Sequence, residues 1–289
     1  MKYIKPKIVA EIGCNHAGSL DLAKKLIDVA ATSGASYAKF QKRNNKYLLK
    51  GDYNKPHPNP VNSFGSSYGK HREFLEFSIP QHYKLFQHCK KRKIKYAISV
   101  WEVKSAEAIV KSKIDLDYLK IPSACNLDFE LIEFLLKNFK NKIHLSLGMT
   151  SQKEIDKIVD LFVKFNRNKD LILYACTSDY PVDFDNVCLL EITRLKQKYE
   201  NIVNSIAFSG HHLGIAVDVA AYTLGANLIE RHFTLDRTMK GTDHSASLEP
   251  DGLKKLIRNL NTTYISLKEK KGILNCEKFQ RKKLKRNIT

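Results

Sequence analysis

Five ionisable side chains stand at or near the ends of short apolar runs. Glu11 lies in KIVAEIG, Lys39 in YAKFQK, Lys120 in DYLKI and His232 in NLIERHF, while His211 directly follows SIAFSG. Strand alternation puts Lys39 and Gln41 on one face. Hydroxyls recur at the same level: Ser123 after the Lys120 run, Ser146 in KIHLSLG, Ser178 and Tyr180 after LILYAC, and Ser209 in SIAFSG. A charge inside an apolar strand needs a partner. A Glu, two Lys and two His brought from different strands to one mouth make a site. His211 and His232 are 232 − 211 = 21 residues apart, the length of one βα unit. That spacing sets both at one level on adjacent parallel strands, where two neutral imidazoles suit a divalent ion such as Mn²⁺ or Mg²⁺. His212 competes for this role, since neighbouring strand residues point oppositely.

These residues need a scaffold, and the chain supplies eight strand-like runs, starting at Lys7, Tyr37, Lys95, Asp117, Lys142, Leu171, Ser205 and Asn227. Helical periodicity occupies residues 20–32, 81–91, 105–110, 129–138, 152–165, 186–199, 215–224 and 253–267, and Ser151 with Glu154 forms a capping-box start. Eight βα units with short apolar strands predict an α/β fold of the (β/α)8 TIM-barrel type over residues 1–267, in preference to an open doubly wound sheet. Residues 268–289 read as a basic tail. In a barrel, strand-end residues meet at the C-terminal mouth. Residues 43–72, rich in Pro, Gly, Asn and Ser, follow the second strand and are long enough to form a lid there.

Composition narrows the class. The chain has 289 residues, 43% hydrophobic and 27% charged, and a sizeable core is within its means. No run approaches the ~18 apolar residues of a membrane span, and the N-terminus lacks a signal-peptide pattern. Six scattered cysteines suit reduced thiols, so the expected location is cytoplasmic, with no membrane association. The net charge of +19 is spread over helical faces and no nucleic-acid module is legible, which argues against a nucleic-acid partner and leaves a small anionic substrate compatible.

Longer strings add a resemblance. AEIGCNHAGSL at Ala10, AKFQK at Ala38, YLKIPSACN at Tyr118, HLSLGMTS at His144, LYACTSDYP at Leu173, FSGHH at Phe208 and GANLIERHFTLDRTMKGTDHSAS at Gly225 resemble the sialic acid (nonulosonic acid) synthases in order and position. Those enzymes join phosphoenolpyruvate to an N-acylated amino sugar, giving a 2-keto-3-deoxy nine-carbon acid and phosphate. The resemblance implies that Lys39, Lys120, Ser123, Ser146, Ser178 and Ser209 hold phosphoenolpyruvate, that His211 and His232 bind the divalent metal, and that Glu11, Gln41, Tyr180 and Asp243 line the sugar side. Glu11 is the candidate for positioning water or moving a proton.

Some positions depart from the family pattern. Cys125 and Gly210 stand where relatives commonly carry an acidic residue and an Asp. Relatives also continue into a small antifreeze-like domain that crosses a dimer and supplies an Arg for the acyl group. This chain is expected to be the barrel alone, with Arg72 of the 43–72 lid supplying a guanidinium; a homodimer is compatible with it. Two other readings stay open: another phosphoenolpyruvate-dependent 3-deoxy-ulosonate synthase, which needs a second phosphate site, and a non-catalytic barrel that binds an anion.

Overall fold

The computed structural model describes residues 3–286. Eight parallel strands close into a barrel in sequence order: β1 (Lys7–Gly13), β2 (Tyr37–Lys42), β3 (Lys95–Val100), β4 (Tyr118–Ile121), β5 (Lys142–Ser146), β6 (Leu171–Cys176), β7 (Ser205–Gly210) and β8 (Leu228–His232). Closure comes from β1 pairing with both β2 and β8, with Glu11 opposite Lys39 on one side and His232 on the other. The expected TIM barrel is therefore the observed fold.

Alternation along each strand builds two apolar compartments. Ile8, Ala10 and Ile12 of β1 face outward into the layer between sheet and helices, whereas Val9 faces the barrel axis with Tyr37, Ala97, Tyr118, Ile172, Tyr174, Ala207 and Leu228. These inward residues fill the lower interior. The next inward positions up are polar: Glu11, Lys39, Ser99, Lys120, Ser146, Ser209 and Glu230, all buried. Helix 20–33 shows how the outer layer is held. Ser19 accepts the Leu22 N–H as its N-cap, and Ala23, Leu26, Ile27 and Ala30 form one buried stripe. Gly34, at φ 92°, ends it in the left-handed conformation. Truncating fully buried Leu26 to Ala would cost about 2–5 kcal/mol.

Helix starts differ from the sequence expectation for local reasons. The second barrel helix starts at Ile79 because Ser78 N–H donates to Gln81 Oε1 at 2.8 Å, a second capping box. The expected start at Asn186 moves to Leu190, since Cys188 sits at φ 52° and interrupts helical geometry. The capping box at Ser151 forms, with Ser151 N–H donating to Glu154 Oε2 at 2.7 Å. Residues 43–72 hold more structure than a bare loop: helices Asn45–Leu48 and Tyr68–Phe74 flank a single 3-10 turn at Pro60–Asn62. Within residues 268–286 of the tail, a helix at Asn275–Leu284 has no buried residue; residues 287–289 of the tail lie outside the described residues. No described helix is long and apolar enough to cross a membrane, and all six cysteines are free.

Candidate active site

A cavity of about 610 Å³ opens at the C-terminal ends of the strands. Glu11, Lys39, Gln41, Arg72, Lys120, Ser123, Ser146, Ser178, Tyr180, Ser209, His211, His232 and Asp243 all line it, so every site residue expected from sequence reaches one space. Register explains this. Glu11 pairs with Lys39 and His232, and Ser99 with Lys120, and each inward side chain therefore rises to nearly the same height.

The floor is a buried charge network. Lys39 Nζ lies 2.7 Å from Glu11 Oε2, 3.6 Å from Glu230 Oε1 and 2.9 Å from Ser99 Oγ. Lys120 Nζ lies 2.5 Å from the same Glu230 oxygen and 4.0 Å from the centroid of the Tyr174 ring. Ser209 Oγ donates to Glu230 Oε1 at 3.2 Å. Burial alone would depress the Lys39 ammonium, but Glu11 and Glu230 outweigh it and hold its pKa above the ordinary value. Lys120 is shifted down, because burial prevails over the attraction of Glu230. For Glu230 the cost of burial is overcome by Lys120 and Lys39, which hold its carboxyl below the usual range. Glu230 escaped the sequence reading, as did Ser99. The signal was present, since Glu230 is two residues before His232 on the same strand and must share its face.

Beside the lysines is a hydroxyl cradle. Ser178 Oγ is buried and has no hydrogen-bond partner. A Cβ placed on Gly148 would strike both Ser178 Oγ and Ser123 Oγ, the latter at 2.7 Å. Only a glycine leaves these hydroxyls room to converge. Asn126 Nδ2 braces the strand-end backbone here, donating to the carbonyls of Ser146 and Gly148 at 3.0 Å each.

On the opposite side stand the two histidines, with ring centroids 5.4 Å apart and the Tyr180 ring 4.2 Å from His211. His211 Nδ1 donates to the Thr177 carbonyl at 2.9 Å, which leaves Nε2 as a lone-pair donor. Burial, with His232 close by, lowers the His211 pKa to about 3, so the ring is neutral. His232 Nδ1 is buried without a hydrogen-bond partner and lies 3.8 Å from Asp243 Oδ2. An unpartnered imidazole nitrogen on a ring 5.4 Å from the neutral His211 ring fits a divalent ion, with water and substrate oxygens completing its shell. Among the described residues no group of three or more His, Cys, Asp or Glu surrounds such a point. His212 faces the other way. It packs in a buried cluster where Arg231 Nη1 meets Asp218 Oδ2 at 2.6 Å and Arg231 Nη2 donates to the His212 carbonyl.

The upper wall carries residues the sequence reading passed over. Arg43 continues the Lys39, Gln41 alternation; its Nη2 donates to Gln41 Oε1 at 2.6 Å, and its guanidinium lies 3.4 Å over the Trp101 ring. Gln41 Nε2 in turn donates to Glu11 Oε1 at 2.8 Å. Cys125, at a position where an acid was expected in relatives, turns its Sγ to the Trp101 carbonyl at 3.0 Å, and burial pushes the thiol up to about 12. At Gly210 any Cβ would meet Phe208 and His212 below 3.0 Å, so a larger residue would displace that packing. Residues of the 43–72 segment close over the mouth: Asn59, Asn62 and Arg72 line the cavity, and Asn62 Oδ1 accepts the Gly241 N–H at 3.3 Å.

The NeuB family model matches residues 26–272. The chain belongs to the NeuB family. It is 34% identical to human N-acetylneuraminate-9-phosphate synthase over 287 residues, covering 97% of this chain and 77% of that one. It is 35% identical to the Drosophila melanogaster enzyme of the same name, covering 86% of this chain but 65% of that protein's length. Against N,N'-diacetyllegionaminic acid synthase of Campylobacter jejuni the identity is 33%, with 97% and 82% covered. Among solved structures, a sialic acid synthetase of Leptospira borgpetersenii in complex with citrate superposes with a TM-score of 0.80 at 29% identity, covering 97% of this chain and 93% of that one. This NeuB chain is thus homologous to nonulosonic acid synthases, which form carbon–carbon bonds from phosphoenolpyruvate.

Proposed function

We propose that the chain condenses phosphoenolpyruvate with an N-acylated amino sugar, giving a nonulosonic 2-keto-3-deoxy acid and phosphate. The observation that carries this is the paired arrangement on the cavity floor: two buried ammonium groups next to a hydroxyl cradle, facing the paired histidines His211 and His232. Lys39 and Lys120 suit a trianion, since compact buried ammonium charges make strong charge-assisted hydrogen bonds. Ser123, Ser146, Ser178 and Ser209 supply further donors, and the unpartnered Ser178 hydroxyl gains a partner when an anion enters.

In this reading C3 of phosphoenolpyruvate attacks the sugar aldehyde carbon and forms the new bond. Water then adds to C2, and the C2–O bond to phosphate breaks, leaving the 2-keto acid. Lys39 and Lys120 hold the phosphate through the addition and stabilise its departure. Glu11, fixed between Lys39 and Gln41, is placed to orient that water or accept its proton. A divalent metal, Mn²⁺ or Mg²⁺, held by His211 and His232 would supply Lewis-acid polarisation of the aldehyde oxygen. Asp243 faces His232; burial would raise its carboxyl, but His232 and Arg72 outweigh burial and keep it below the usual carboxylate range. It is thereby set as an acceptor for a sugar hydroxyl. Tyr180, Gln41 and Arg72 line the sugar half. In this reading the chain works in the cytoplasm.

The test is incubation of the chain with phosphoenolpyruvate, Mn²⁺ and an N-acylated hexosamine, read by mass spectrometry. The expected product has the mass of the sugar plus a pyruvate unit. Loss of phosphoenolpyruvate as free pyruvate alone, with no sugar adduct, would contradict the proposal.

A further inference from the structure

The barrel has a second opening, at the N-terminal ends of its strands, where a cavity of about 460 Å³ lies opposite the catalytic mouth. Lys7, Lys95 and Lys142 stand on its rim as the first residues of β1, β3 and β5, and Lys140 joins them just before β5. The two carboxylates of this cavity are already engaged, Asp117 with Lys95 at 2.5 Å and Asp170 with Arg167 at 2.7 Å. Lys7, Lys140 and Lys142 are left without an ion pair among the described residues, and Lys142 has only a 3.4 Å contact to Asn204 Oδ1. The inner wall holds His144, 2% exposed, whose ring lies flat on Tyr118 with centroids 3.6 Å apart. Burial, with Lys120 near, holds the His144 pKa well below the usual histidine value, so the ring is neutral. Tyr174 Oη lies 2.8 Å from His144 Nδ1 and finds no other acceptor among the described residues, so its O–H donates to Nδ1. The ring proton therefore sits on Nε2, where it meets no acceptor.

We propose that this N-terminal cavity is a separate ligand site, which takes a small phosphorylated molecule of two or more negative charges, with His144 Nε2–H as the buried donor and Lys7, Lys140 and Lys142 as the counter-charge. Three unpaired ammonium groups around one concavity favour a polyanion, since a monoanion leaves most of that charge uncompensated. A phosphate group suits the geometry better than a lone carboxylate. Its several oxygens can accept from the imidazole N–H and from ammonium groups on different strands at once. The volume lies in the range that holds a small metabolite. Tyr37, Tyr118, Ile172 and Tyr174 pack across the barrel interior between this cavity and the phosphoenolpyruvate floor. A ligand below that layer does not compete with one above it, and the site stands whether or not the condensation reading holds.

Inorganic pyrophosphate is the probe, titrated calorimetrically into the full chain with phosphoenolpyruvate saturating and no metal added. A single pyrophosphate should bind per chain. Lys7 and Lys142 are exposed, so a variant combining Lys7→Gln with Lys142→Gln should fold. It should bind pyrophosphate about tenfold or more weakly, with phosphoenolpyruvate affinity unchanged. The same charge removed elsewhere, by Lys153→Gln with Lys157→Gln on the exposed side of helix Gln152–Lys164, should leave pyrophosphate binding as it is. Proton NMR should show the Nε2–H resonance of His144, assigned by its loss in His144→Phe, moving as pyrophosphate is added to the wild type. Equal weakening in the two double variants would mean diffuse attraction to the net charge of +19 and overturns the proposal. A wild-type chain without stoichiometric binding, or binding that leaves the His144 resonance unmoved, overturns it as well.

Discussion

Glu230 Oε1 lies 2.5 Å from Lys120 Nζ and 3.6 Å from Lys39 Nζ, so one carboxylate oxygen ties together the two ammonium groups on the cavity floor. Among the described residues Glu11 forms an ion pair with Lys39 alone. The four charges cancel within the apolar barrel, which allows two lysines to stay ionised and side by side before any ligand arrives.

Neutralising that shared carboxylate exposes the tie. Glu230→Gln leaves two buried ammoniums with a single counter-charge, and the chain should lose about 3 kcal/mol of stability in urea titration. An anionic ligand then supplies the missing charge, so phosphoenolpyruvate should raise the Tm of the variant by more than it raises that of the wild type. An unchanged stability would show that the network carries no strain of charge.

Lys39→Met and Lys120→Met remove the ligand's own partners. Each should weaken phosphoenolpyruvate binding by about 2 kcal/mol or more, roughly thirtyfold in Kd by calorimetry. Circular dichroism should first establish that the variant is folded, since Glu11 or Glu230 is left short of a partner. Wild-type affinity in both variants would take the lysines out of the anion site.

Much of this was legible in the sequence, and the exceptions have physical causes. Strand ends bearing Glu11, Lys39, Lys120, His211 and His232 stand out because charge is costly inside apolar runs. Glu230 did not stand out, since it lies inside NLIERHF beside Arg231, and a mid-strand pair of opposite charges looks like a local ion pair. The barrel separates them: Glu230 faces inward to the lysines, whereas Arg231 faces outward to Asp218. Trp101 directly follows β3, and its contact with Arg43 depends on β2 and β3 lying side by side. The capping box at Ser151 was readable because it is local in sequence. The latch between Asn62 and Gly241 was not, because it joins residues far apart in the chain.

Gly148 is the narrowest point of the hydroxyl cradle. Gly148→Ala inserts a methyl group against Ser123 and Ser178, and overpacking of this kind costs about 1–3 kcal/mol. The barrel should still fold, with phosphoenolpyruvate affinity reduced at least tenfold while Mn²⁺ binding persists. Retained phosphoenolpyruvate affinity would place the anion away from these serines.

Metal dependence follows from the orphaned His232 nitrogen and the free Nε2 of His211. His211→Ala or His232→Ala should remove stoichiometric Mn²⁺ binding by calorimetry and abolish turnover, whereas His212→Ala should destabilise the chain through loss of the buried Arg231 and Asp218 cluster without removing the metal. Full activity in chelator would refute the metal role.

Phosphate release from phosphoenolpyruvate across a panel of acceptors tests the central claim most directly. With Mn²⁺ present, release should occur with N-acylated hexosamines or their phosphates, and a 2-keto-3-deoxy nine-carbon acid should appear in equal amount. Release with a pentose or tetrose phosphate instead would make the chain a different ulosonate synthase, and no release with any sugar, despite tight phosphoenolpyruvate binding, would make it an anion-binding barrel.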